Sequence, residues 1–142
     1  MNVTILPGTL KGAVTPPSSK SQTHRAVLAL MLAQGEGKLS NLAVSEDIQA
    51  TQDCVAALKS GHPAQADGLP LLDCGESGST LRFLIPVALA VRGGGHFTGR
   101  GRLMERPQGP YIRLFEEKGI LWNQEGAYLT VAGQLEPGVY AL

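Results

Sequence analysis

One pattern of helix and strand signals runs through this 142-residue chain twice, offset by about 57 to 59 residues. The first copy predicts a helix over 21–34, a Gly35-Glu36-Gly37 turn and a short strand at 38–42. A helix over 45–60 follows, closed by Gly61, then extended pieces at 63–66 and 69–73. The second copy predicts a helix over 79–91, a Gly93-Gly94-Gly95 turn and a strand at 96–99. A helix over 106–118 follows, closed by Gly119, then a hairpin of 120–123 and 128–131 over Gln124-Glu125-Gly126-Ala127. Arg25 corresponds to Arg82, Gly37 to Gly95 and Gly61 to Gly119. A repeated α-β-α-β-β unit puts the chain in the α/β class and is no solenoid repeat of the common lengths.

The helices rest on periodicity. Ile48, Thr51, Val55 and Leu58 fall at 3-4-3 spacing and mark one buried face. Ser45 is placed to cap that helix, with Glu46 and Asp47 complementing the first-turn dipole. Leu81, Leu84, Ile85, Ala88 and Leu89 give the second copy's first helix its apolar stripe. Pro86 removes one helical hydrogen bond, so a kink is expected there. Val3-Thr4-Ile5-Leu6 reads as a strand with no partner in either copy, and 135–140 as a further extended piece.

Charge excludes some function classes. Lys plus Arg and Asp plus Glu both number 12, so no net basic field draws the chain to nucleic acid or an acidic membrane. The longest apolar run, 81–91, is too short to span a bilayer and holds Arg82 and Pro86. Cys54 and Cys74 form no metal pattern and read as buried thiols in a reducing, cytoplasmic setting, with a disulfide left open.

Local basic clusters then point to local binding. Pro16-Pro17-Ser18-Ser19-Lys20-Ser21-Gln22-Thr23-His24-Arg25 leads into an apolar helix. Serines there can cap the helix, and free amides and the positive end of the dipole converge where Lys20 and Arg25 sit. Two cations at that end oppose the dipole, which suits an anion site rather than helix stability. Cys74-Gly75-Glu76-Ser77-Gly78-Ser79-Thr80-Leu81-Arg82 is a second start of this type, neither a Walker loop nor a nucleophile elbow. Arg100, Arg102 and Arg106 fall within seven residues ahead of another helix, with Glu105 available to pair with one of them. His24 could lie near the site, but like His62 and His96 it reads as a satisfied or surface histidine. Trp122 reads as packing.

The motifs Ser19-Lys20-Ser21-x-x-x-Arg25-Ala26, Gly75-x-Ser77-Gly78-Ser79-Thr80-Leu81-Arg82 and Gly99-x-x-Arg102-x-x-x-Arg106-Pro107 occur in this order. Together with Ser45-Glu46-Asp47-Ile48 they resemble the N-terminal part of the 3-phosphoshikimate 1-carboxyvinyltransferase (EPSP synthase) family over nearly the whole chain. A related enolpyruvyl transferase acting on UDP-N-acetylglucosamine is less similar, since it has Lys-Asn where this chain has Lys20-Ser21. The resemblance implies the enolpyruvyl transferase fold, in which each of two globular domains is built from α/β repeats. Residues 1–14 would then be a strand of a missing second domain. Residues 15–134 would form the N-terminal domain, with repeats at about 21–73 and 75–132, and 135–142 would start a truncated third repeat.

The resemblance also implies a reaction. The carboxyvinyl group of phosphoenolpyruvate passes to the 5-hydroxyl of shikimate 3-phosphate, and phosphate leaves through a tetrahedral intermediate. Lys20 would be catalytic and contact phosphoenolpyruvate near the reacting hydroxyl. Ser21 and Arg25, with Lys20, would hold shikimate 3-phosphate. The Gly78 amide and Arg102 would hold the phosphate of phosphoenolpyruvate, with Asp47, Glu76, Arg82, Glu105 and Arg106 behind them. No metal, organic cofactor, nucleic acid or membrane is implied, and the whole enzyme would be a monomer. As an N-terminal fragment without the C-terminal domain, the chain is expected to be inactive alone. A non-catalytic anion-binding module is the alternative use of the same residues. The family often has Asn where this chain has Glu76, and Glu76 is expected to pair with Lys20 or Arg82.

Overall fold

The computed structural model describes residues 2–9, 11–33 and 37–140. Helices α1 (Lys20–Leu32) and α2 (Glu46–Ser60) come first, then strand β1 (Leu71–Asp73), helix α3 (Gly78–Arg92) and strand β2 (Gly94–Thr98). A 3-10 turn at Leu103–Glu105, helix α4 (Gly109–Lys118) and strands β3 (Leu121–Glu125) and β4 (Tyr128–Ala132) complete the order. The four strands form one sheet in the order β1-β2-β4-β3. β1 and β2 are parallel, joined by α3, and the β2–β4 and β4–β3 pairs are antiparallel.

The apolar stripes fold as their spacing requires. α2 buries Ile48, Thr51, Cys54, Val55 and Leu58. α3 buries Leu81, Leu84, Ile85, Ala88 and Leu89 and runs through Pro86 as one 15-residue helix. The core between helices and sheet closes on Leu58, Leu72, Leu84, Ile85, Phe97 and Val131, all fully buried. Each such side chain contributes about 1.5–3 kcal/mol through removal from water. Ser45 caps α2 by accepting from the Ile48 amide, and Gly61 and Gly119 end α2 and α4 in the left-handed conformation.

The repeat is carried by the helices and only partly by the strands. Lys38–Leu42 forms no strand. Asn41 there takes φ 54° and accepts from Ser18 Oγ at 2.9 Å, while the Ala43 amide donates to Thr23 Oγ1 at 3.0 Å. The segment is thus tied to the start of α1 by side chains instead of entering a ladder. The extended pieces after α2 reduce to a single bridge, Ala64 to Pro70, followed by β1. Gln34, Gly35 and Glu36 lie outside the described residues.

Three boundaries in the second copy shift for local reasons. The helix expected from Arg106 begins at Gly109, because Pro107 holds Arg106 in an extended conformation with ψ 134°. The expected glycine turn is instead the start of β2: Gly94 pairs with Ala132 and lies against the Val131 carbonyl, where no side chain fits. The hairpin is tighter than expected, Glu125 facing Tyr128 across Gly126-Ala127 alone. Residues 2–9 form no strand with the rest of the chain, and Val3, Ile5 and Leu6 are exposed. Leu135 and Tyr140 pack against the core without joining the sheet.

Candidate functional site

Three helices begin beside one another. Ser19 caps α1 by accepting from the Gln22 amide, and Ser77 caps α3 by accepting from the Thr80 amide. A cap of this kind serves the third amide of a helix and leaves the first two pointing outward. Those amides belong to Lys20 and Ser21 in α1 and to Gly78 and Ser79 in α3. Thr51 Oγ1 of α2 lies 2.7 Å from Thr80 Oγ1 of α3, and both hydroxyls point to the Asp47 carbonyl, at 3.0 and 3.2 Å. Thr80 also reaches Ser77 Oγ at 2.7 Å. The result is a polar seam that fixes the starts of α2 and α3 against each other.

Lys20 joins this seam through its charge. Its Nζ donates to Asp47 Oδ2 at 2.6 Å, with the two side chains 52% and 30% exposed. The cation is held in place but still faces water, beside a hollow of about 470 Å³ that Pro17, Ser18, Val44 and Ser45 also line. Arg25 is exposed, its guanidinium 5.9 Å from the centre of the Phe83 ring of α3. Ser21 is exposed at the second position of α1.

The other candidates come from the loops that follow the parallel strands. Gly78 is buried at the first position of α3, and the Arg106 guanidinium rests where a side chain at Gly78 would stand. Arg102 is exposed and pairs with Glu105, Nε to Oε2 2.9 Å, three residues on. An exposed pair of this kind is weak, so Arg102 can exchange its partner for an anion. Glu76 pairs with neither Lys20 nor Arg82: Lys20 is taken by Asp47, and the Glu76 carboxylate lies against Gly101. Among the described residues Arg25, Arg82, Arg100 and Arg106 form no ion pair. A second hollow of about 360 Å³, with Asp53, Asp73 and Arg100 in its wall, lies away from Lys20, Arg25 and Gly78.

His24 lies against the seam rather than on the surface. It is buried, 1% exposed, with Nδ1 2.7 Å from Thr51 Oγ1. Burial lowers its pKa from the ordinary 6.5, Asp47 opposes that shift and Lys20 adds to it. His96 is a satisfied histidine, as the sequence suggests: its ring bridges Asp67, at 2.8 Å, and Thr130, at 2.9 Å. Thr51 and Thr80 escaped notice as site residues, because Thr51 reads as part of an apolar stripe. A buried hydroxyl in such a stripe must find a partner, and that was the available signal. Among the described residues no group of three or more potential metal ligands occurs.

The order of the motifs agrees with comparison to known proteins. The family model for EPSP synthase (3-phosphoshikimate 1-carboxyvinyltransferase) matches residues 6–136. The chain belongs to the EPSP synthase family. It is 37% identical to a 3-phosphoshikimate 1-carboxyvinyltransferase of Clostridium perfringens, over 97% of this chain and 36% of that relative. A relative of the same name from Clostridium novyi is 37% identical over 98% of this chain and 37% of its own length. One from Clostridioides difficile is 34% identical over 94% and 36%. The chain therefore spans a little over a third of the length of these EPSP synthase relatives.

Proposed function

We propose that this chain provides one wall of a carboxyvinyl transferase site that takes shikimate 3-phosphate and phosphoenolpyruvate. Lys20, Ser21 and Arg25 hold shikimate 3-phosphate. Lys20, the Gly78 amide and Arg102 hold phosphoenolpyruvate. The observation that carries this reading is that the capped starts of α1 and α3 are both tied to the start of α2, the first through Lys20 and Asp47 and the second through Thr80, Thr51 and the Asp47 carbonyl, with Arg106 over Gly78. Fixed cations and backbone dipoles suit two phosphorylated, carboxylated substrates held side by side, and orientation with electrostatic stabilisation then favours transfer.

In this reading Lys20 lies near the reacting 5-hydroxyl, and Asp47 sets its position. Arg102 releases Glu105 to take the phosphate of phosphoenolpyruvate. Arg106, over Gly78, adds charge behind the same phosphate. In this reading proton transfer falls to groups outside this chain, and the chain alone binds without turning over.

Calorimetric titration of the chain with shikimate 3-phosphate, repeated with Arg25→Ala, tests this. Loss of a charged hydrogen-bond pair of about 1.5–3 kcal/mol should weaken binding about tenfold to a hundredfold. A folded wild-type chain that binds neither substrate overturns the reading. Turnover by the chain alone overturns the assignment of proton transfer to the remainder.

A further inference from the structure

His24 has one ring nitrogen committed and one without a partner. Nδ1 lies 2.7 Å from Thr51 Oγ1, while Nε2 is buried with no hydrogen-bond partner among the described residues. A charged imidazolium would bury an N–H with no acceptor, which is costly, so the ring is neutral. The Thr51 hydroxyl decides which nitrogen carries the proton. It has one hydrogen and three neighbours: His24 Nδ1, the Asp47 carbonyl at 3.0 Å and Thr80 Oγ1 at 2.7 Å. The carbonyl can only accept. If Thr51 donates to it, Nδ1 must donate to Thr51, since two lone pairs cannot face each other at that distance. Thr80 Oγ1 donates to Ser77 Oγ, so its 2.7 Å contact with Thr51 also calls on the Thr51 hydrogen, and Nδ1 must again donate to Thr51; the chain then runs from Nδ1 through Thr51 and Thr80 to Ser77 in one direction. With the proton on Nε2, Thr51 must donate to Nδ1 while Thr80 donates to Ser77, and the 2.7 Å contact between Thr51 and Thr80 is left without a hydrogen.

We propose that His24 is a positioning residue: as the neutral, Nδ1-protonated tautomer it donates into the Thr51–Thr80–Ser77 hydroxyl chain and holds the Lys20 end of α1 against the Gly78 end of α3. His24 is one turn on from Lys20 in α1 and meets Phe83 of α3 edge-on, with ring centres 6.4 Å apart. Thr51 is one turn on from Asp47, the residue that holds Lys20. The imidazole thus braces both members of the Lys20–Asp47 pair from below, and Ser77 at the far end of the chain caps the helix that presents the Gly78 amide. Its effect on substrate affinity rests on the anion-site reading above; the tautomer and the coupling of the helix starts do not.

Nitrogen-15 spectra of the histidine-labelled chain at neutral pH read the tautomer directly. The Nδ1-protonated ring is expected; an Nε2-protonated or charged ring overturns the proposal. His24→Leu, confirmed as folded by circular dichroism, should shift the Gly78 and Thr80 amides and weaken shikimate 3-phosphate binding about tenfold, the value of one hydrogen bond. His24→Asn keeps a polar atom near the Nδ1 position and should recover affinity to within about threefold of wild type. A His24→Leu chain with unshifted Gly78 and Thr80 amides overturns the proposal. If wild type binds no shikimate 3-phosphate, the anion-site reading fails, and His24 is judged on the tautomer and the amide shifts alone.

Discussion

Lys20 and Asp47, from the starts of two different helices, meet at 2.6 Å. The pair links the first basic motif to the helix whose Thr51 and Asp47 carbonyl carry the seam to α3. Both side chains keep solvent contact, so the pair fixes where the cation sits more than it stabilises the fold. Asp47→Asn should lower unfolding free energy in urea by less than about 1 kcal/mol, and by less still in molar salt. A loss of several kcal/mol would mean that the pair is a structural brace.

Gly94 and Gly119 both have positive φ, at 146° and 67°, but differ in their surroundings. A side chain at Gly94 would strike the Val131 backbone, whereas nothing lies within 4 Å of one at Gly119. Gly119→Ala should cost about 1–2 kcal/mol of left-handed strain. Gly94→Ala should cost more, because β2 must move away from β4. Equal urea midpoints for the two variants would contradict this.

Acidification should destabilise the chain through His24. Burial holds its folded pKa below the ordinary 6.5, so the unfolded chain takes the proton first as pH falls. The stability that neutral His24 brings is therefore full above 6.5 and is lost as pH drops through the folded value. Urea midpoints should fall between about pH 7.5 and 5.5 in wild type, and fall less in His24→Asn. Identical pH dependence in the two would place the titration elsewhere. Asp67, held below its ordinary 3.8 chiefly by the Leu69 amide, contributes only in stronger acid.

Cys54 and Cys74 are free, buried thiols. The Cys54 thiol beside it, and burial after that, push the Cys74 thiol far up, which suppresses the reactive thiolate. Iodoacetamide should leave the folded chain unlabelled and modify both cysteines in urea. Rapid labelling of the folded chain would show that the core around β1 opens readily.

The residues of α2 and α3 carry their own instructions. Period, serine caps and the closing Gly61 are written within a few residues of where they act, and the helices form accordingly. The break before α4 was equally local, since Pro107 constrains Arg106, but the expectation carried a helix across it. The strand expected at Lys38–Leu42 shows a different limit: a strand needs a partner, and here the Asn41 side chain meets Ser18 and the following Ala43 amide meets Thr23 at the start of α1 instead of a neighbouring strand.

By itself the sequence determined the α/β class, the cores of the four helices and the order of the three motifs. Only the tertiary structure decided that Lys20 pairs with Asp47 rather than Glu76, that Arg106 covers Gly78 and that His24 is buried against Thr51. The reason is the range of the forces involved. Capping and amphipathic period act within a turn or two of the backbone, whereas the partner of a charge or a hydroxyl is set by which distant segments packing brings within 3 Å.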